Sequence, residues 1–215
     1  MNRGVLLLAV VGGAFGTVYL VRKAMAKDQV EAPVLPGPRV VLALGDSLTA
    51  SEAYCKALSE DVPKGSSVTC RGLPGQGTGA ILADLKTMYP GTSLSKFTDV
   101  VVLAGVNDIA SGRSIATITH NLESIYTFIR SAGARPIAVH LTPWYSYKYR
   151  ADWQKATDAV NLWISQSSLP AAVVKTRDLG DFQGSLLPGY TSGDGLHLNS
   201  TGCQKLAELV VTQGL

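Results

Sequence analysis

Beyond its N-terminal segment, this chain has two strand-length stretches that are apolar at every position: Val40 to Leu44, reading VVLAL, and Val100 to Ala104, reading VVVLA. Successive side chains of a strand point to opposite faces, so a strand with one wet face alternates apolar with polar residues; an unbroken run means both faces are covered. Such runs are the central strands of a parallel sheet sandwiched between helices. Weaker strand patterns fall at Ser67 to Arg71, Pro136 to Leu141 and Ala172 to Arg177. Helical periodicity covers Ser51 to Ser59, Thr78 to Met88, Ser114 to Ser131, Asp152 to Ser167 and Asn199 to Thr212. Five strands, each followed by a helix, predict an α/β fold with a parallel sheet and helices on both faces.

The chain has 215 residues, 46% hydrophobic and 16% charged, enough for one domain with a full core plus an additional segment. That segment is N-terminal. Gly4 to Val21 holds 18 residues without a charge, flanked by Arg3, Arg22 and Lys23. As a helix it would span roughly 27 Å, the thickness of a bilayer core. An uncleaved membrane anchor fits its length and flanks best; a signal peptide ending in the A-x-A of Ala24 to Ala26 and a buried core helix are the alternatives. Three prolines between Ala32 and Pro38 predict an extended spacer. The expected organisation is therefore an anchor or signal at 1–26, a Pro-rich linker at 27–38 and a folded domain at 39–215. Of the net charge of +3, the first 38 residues supply +2, leaving 15 basic and 14 acidic residues in the domain. A balance of +1 without a Lys or Arg run excludes a nucleic-acid binder.

In a parallel sheet of this kind, working residues gather in the loops that leave the C-terminal ends of the strands. Here those loops hold Gly45-Asp46-Ser47-Leu48, Gly72-Leu73-Pro74-Gly75, Gly105-Val106-Asn107-Asp108 and Asp194-Gly195-Leu196-His197. Ser47 sits at a strand-to-helix turn. A serine needs a base, and His197, oriented by Asp194, is the candidate. The tetrahedral oxyanion formed on attack needs donors, which the N–H groups of Ser47 and Gly75 and the amide of Asn107 are able to supply.

These four blocks, in this order, resemble those of the SGNH, or GDSL, hydrolase family, and the resemblance spans Arg39 to Leu215. It implies a flavodoxin-like three-layer α/β/α sandwich, preceded here by the N-terminal hydrophobic helix. It also implies hydrolysis of carboxylic esters without metal or cofactor. Ser47 would be the nucleophile, Asp194 and His197 the rest of a triad, and Gly75 and Asn107 the rest of the oxyanion hole. The second block departs from the pattern, reading CRGLPG where an Asn and small residues usually precede the glycine; Gly77 is the alternative to Gly75. The implied substrate is an acyl lipid or acylated glycan. With residues 4–21 at the membrane, the catalytic domain would be membrane-anchored or exported, in the cell envelope outside the cytoplasm.

Other residues read as structural. His140 lies in a strand run and His120 in a helix, neither with the companions a metal site needs. The aromatic stretch Thr142 to Arg150 is either a pocket wall or a loop packed on the domain. Cys55 and Cys70 sit 15 positions apart in neighbouring elements and would form a disulfide in an oxidising compartment, while Cys203 packs in the final helix. Two other functions compete: a catalytically silent lipid- or glycan-binding module on the same fold, against which the intact Ser47, Asn107, Asp194 and His197 argue, and a nucleotide-binding domain. GLPGQGTG lacks the spacing of a dinucleotide fingerprint and no GxxxxGK occurs.

Overall fold

A computed structural model describes residues 37–145 and 150–215. The segment 1–26, with its expected anchor helix, and the linker up to residue 36 lie outside the described residues. The rest forms five parallel strands in the order β2-β1-β3-β4-β5. They are β1 (Val40–Gly45), β2 (Ser67–Gly72), β3 (Asp99–Leu103), β4 (Arg135–Val139) and β5 (Ala172–Val174). As their unbroken apolar patterns require, Val41–Leu44 in β1 and Val100–Leu103 in β3 are no more than 2% exposed. The two strands pair directly, Val41 opposite Asp99 and Gly45 opposite Leu103.

The helices are α1 (Glu52–Asp61), α2 (Thr78–Met88), α3 (Val106–Ala110), α4 (Ile115–Ser131), α5 (Ala151–Gln166) and α6 (Ser200–Gln213). The chain moves one way from β1 to β2, then back across the sheet from β2 to β3, β4 and β5. Right-handed crossovers therefore put α1 on one face and α2, α4 and α5 on the other. Packing agrees: α1 lies against α6, while α2 lies against α4 and α4 against α5. The result is the expected three-layer α/β/α sandwich. Helix starts are marked by side chains that satisfy free backbone donors: Ser51 Oγ accepts from Tyr54 N, Ser114 Oγ from Thr117 N and Asn199 Oδ1 from Gly202 N.

Two elements differ from the sequence expectation. The fifth strand stops at Val174, because Thr176 turns its hydroxyl back to the Leu141 carbonyl at 3.1 Å and the chain enters a 3-10 turn at Arg177–Leu179. The loop after β3 winds into the short helix α3, too brief to show a period. Cys55 in α1 and Cys70 in β2 are joined by a disulfide with a Cα–Cα distance of 6.1 Å. Closing a loop of that size contributes about 3 kcal/mol in the chain-entropy account. Cys203 is buried in α6, as expected.

Candidate active site

The order 2-1-3-4-5 has one switch point, between β1 and β3, whose following segments leave in opposite directions; in sheets of this kind ligands bind there, at the C-terminal ends of the strands. Ser47 follows β1 and Asn107 follows β3, so both border the switch point. Beyond β1 the backbone turns tightly: Ala50 N donates to Asp46 O at 3.0 Å, and Leu48 N donates to Asp46 Oδ1 at the same distance. That turn holds Ser47 out of the sheet.

His197 reaches Ser47 from the other end of the chain, with Nε2 2.9 Å from Ser47 Oγ. Its Nδ1 lies 2.6 Å from Asp194 Oδ2. The loop carrying them is built around Asp194, whose Oδ1 accepts from Leu196 N at 2.9 Å and from His197 N at 2.8 Å. Asn199 fixes the exit, donating to Gly189 O and Thr191 O while capping α6. Burial pushes the Asp194 carboxyl upward, but the hydrogen bonds from the His197 ring and from the Leu196 and His197 N–H groups outweigh it and hold the pKa at about 2. A carboxylate accepts only, so Nδ1 carries the proton between them. In the neutral ring Nε2 then offers its lone pair to the Ser47 hydroxyl.

Opposite the serine, Asn107 and Asp108 clasp the loop after β2. Asn107 Nδ2 donates to Gln76 O at 3.1 Å, which leaves its second hydrogen available. Buried Asp108 accepts from Thr78 N at 2.7 Å and from Thr78 Oγ1 at 3.1 Å, and Asn121 Nδ2 donates to that same hydroxyl at 3.0 Å. Gly77 lies so close that a Cβ there would fall 2.7 Å from the Asp108 carboxylate. Its glycine is thus explained by packing. Gly75 is exposed, in the left-handed region at φ 75°. Neither its N–H nor that of Ser47 has an acceptor among the described residues. The Asp108 latch is a residue sequence reasoning passed over, although it stands beside Asn107 in the same block; its partner Thr78 is thirty positions away, and only the fold brings them together.

Residues 43–205 match the sequence profile of the GDSL-like lipase/acylhydrolase family. The chain belongs to that family. As a GDSL-family protein it is, at the family level, an ester hydrolase. Its fold is shared with solved members. A lipase/acylhydrolase from Enterococcus faecalis is 21% identical, with 81% of this chain and 94% of that one covered at a TM-score of 0.65. A GDSL-like lipase from Bacteroides thetaiotaomicron is 18% identical, with 93% and 98% covered and a TM-score of 0.63. The psychrotrophic esterase EstA from Pseudoalteromonas sp., solved with monoethylphosphonate as inhibitor, is 17% identical, with 81% and 96% covered and a TM-score of 0.62. No curated protein sequence matches the chain.

The other expectations fall as follows in this GDSL-family domain. His140 is half-buried, its Nε2 2.8 Å from Ser165 Oγ, and burial together with the nearby Lys175 charge lowers its pKa to about 4. It is a structural histidine; His120 is on the surface. Trp144, from the aromatic stretch, is buried against the domain, stacked on Trp153 at 5.1 Å and donating to Thr157 Oγ1. Residues 146–149 of that stretch lie outside the described residues. Among the described residues no three His, Cys, Asp or Glu side chains are grouped to hold a metal ion.

Proposed function

We propose that this chain is a serine ester hydrolase that cleaves carboxylic acyl or acetyl esters, with Ser47 as nucleophile, His197 as general base and Asp194 as the group that orients it. The observation that carries the reading is the unbroken chain from Ser47 Oγ to His197 Nε2 at 2.9 Å and from His197 Nδ1 to Asp194 Oδ2 at 2.6 Å. Ser47 Oγ attacks the ester carbonyl carbon as its proton passes to Nε2. The resulting imidazolium is stabilised by the Asp194 carboxylate, which stays ionised down to about pH 2. Negative charge develops on the carbonyl oxygen, where the Ser47 and Gly75 N–H groups and the free Asn107 hydrogen serve as donors. Collapse breaks the ester C–O bond, and the alcohol leaves with the proton from Nε2. Water, deprotonated by the same nitrogen, then attacks the acyl-serine and releases the acid and the free hydroxyl.

The test is covalent labelling of the full chain with a fluorophosphonate, with 4-nitrophenyl acetate turnover followed alongside. Labelling is expected at Ser47. Ser47→Ala should lower kcat by about 10⁴-fold or more. A variant that keeps wild-type turnover would refute the assignment.

The compartment belongs to the same proposal: the domain works outside the cytoplasm, tethered or exported through residues 4–21. The Cys55–Cys70 disulfide supports this reading, because such bonds persist in oxidising compartments. Fractionation of the expressing cell, with protease added from outside, tests it; a domain found protected in the cytosol would overturn it.

A further inference from the structure

A cavity of about 290 Å³ adjoins Asn107, bordered by the loop after β2 and by α2, α3 and α4. Its polar lining comprises Gln76, Asn107, Ser111, Arg113, Thr117 and Asn121. Of its remaining lining residues Ala80 alone has an aliphatic side chain, beside two glycines and Asp108. A second cavity, of about 470 Å³, shares Ser111 and Arg113 with the first and extends it toward Arg150, Asp152 and Trp153. Arg113 lines both parts of this polar surface groove.

The charges along this groove are unequally satisfied. Asp108 is 5% exposed and its oxygens are taken by Thr78. Asp152 is paired with Arg150, at 3.2 and 3.0 Å. Arg113 is exposed, and its guanidinium makes no ion pair or hydrogen bond among the described residues; only its backbone N–H is engaged, to Asp108 O. A fatty acyl chain laid here would strip water from amides, hydroxyls and a guanidinium without replacing their hydrogen bonds. A planar guanidinium at the junction instead suits a two-oxygen anion.

We propose that this groove is a binding subsite for an anionic group of the substrate, a carboxylate or a phosphate, held by Arg113 while the ester lies against Asn107. As a substrate subsite it rests on the hydrolase reading above. It makes the enzyme one for charged, polar esters, and it assigns Arg113 as a specificity determinant.

The test is equilibrium binding by calorimetry, on the full chain carrying Ser47→Ala. The probes are 4-acetamidobenzoate and 4-acetamidophenyl phosphate, compared with the neutral 4-acetamidobenzamide. The anions should bind at least about 10-fold more tightly than the neutral probe, and the stronger of the two names the anion. Adding Arg113→Gln should abolish the preference with thermal unfolding unchanged, and Arg113→Lys should restore part of it. Equal binding of neutral and anionic probes, or a preference that survives Arg113→Gln, would overturn the proposal. Fluorophosphonate labelling of the chain with Ser47 intact separates the two readings. An anion preference without labelling sinks the hydrolase assignment and leaves Arg113 holding an anion that is not part of an ester substrate; labelling without the preference sinks the subsite alone.

Discussion

At the N-terminal end of β3, Asp99 has no solvent exposure, and its carboxylate is saturated: Arg135 donates at 2.7 Å, Thr98 Oγ1 at 2.6 Å and Arg39 at 3.4 Å. At the C-terminal end of neighbouring β1, Asp46 is 1% exposed, yet while its Oδ1 accepts from Leu48 N its Oδ2 has no partner among the described residues. The same sheet thus ends in a carboxylate closed off by its donors on one rim and a carboxylate left open on the other. Asp99 gathers Arg39, Arg135 and, through those guanidiniums, the backbone carbonyls of Gly214 and Leu215, so the closed rim ties the end of α6 to β1 and β4. The open rim leaves the Ser47 and Gly75 N–H groups and one Asn107 hydrogen unspent. A donor already committed inside the protein cannot stabilise charge that arises during a reaction. The lesson of the pair is that incomplete hydrogen bonding of the carboxylate, rather than burial or charge as such, separates the rim proposed to do chemistry from the rim that holds the fold.

The comparison breaks most sharply at Asp99. Asp99→Ala leaves two guanidiniums facing an apolar gap, and removing one member of a buried ionic cluster costs about 3–5 kcal/mol. Chemical denaturation should show that loss, while kcat of the protein that remains folded stays at the wild-type value. A large drop in kcat at full stability would mean the closed rim also serves the reaction.

Asn107→Ala is the reciprocal experiment. With the amide gone, the oxyanion loses one donor, so kcat should fall about 10²–10³-fold with little change in the midpoint of unfolding. Asp108→Asn probes the layer behind it, since an amide whose oxygen keeps accepting from Thr78 N turns its NH2, a donor, toward Thr78 Oγ1 in place of an acceptor. A loop displaced by a fraction of an ångström should cost about 10-fold in kcat and leave KM nearly unchanged. If Asp108→Asn instead lowers stability alone, the latch belongs with the closed rim.

Much of this was legible before any coordinates. Strands buried on both faces write their burial into the sequence as unbroken apolar runs, which is why VVLAL and VVVLA gave the sheet's centre and the loops after it. The local Asp194–His197 spacing and the Asn199 helix start were equally visible, because the turn that aligns them is made by adjacent residues. Roles set by distant partners were not. Asp108 acquires its function from Thr78 and Asn121, and Trp144 its burial from Trp153; neither pairing follows from spacing along the chain. The polar groove was invisible for the same reason, since α2, α3 and α4 each supply only part of its lining.

The subtlest difference between the rims concerns protons. Burial raises the Asp46 carboxyl from 3.8 to about 6, against the Leu48 hydrogen bond and the His197 charge, which lower it. A proton held more tightly in the folded state stabilises it below pH 3.8, and that contribution is lost as pH rises toward 6. His140 works in the opposite sense. Its pKa, lowered from 6.5 to about 4, means that the unfolded chain takes up the proton first, so stability is lost as pH falls from 6.5 to 4. Over the shared window the two slopes oppose each other; Asp194, lowered to about 2, acts below it. Asp46→Asn keeps the acceptor for Leu48 N but cannot ionise. Unfolding free energies measured from pH 4 to 7 should therefore fall more steeply on acidification in the variant than in the wild type, as the His140 slope emerges uncompensated. Parallel curves would show that the orphan oxygen of Asp46 carries no excess proton affinity, and the open rim would then owe its character to the donors around Ser47 alone.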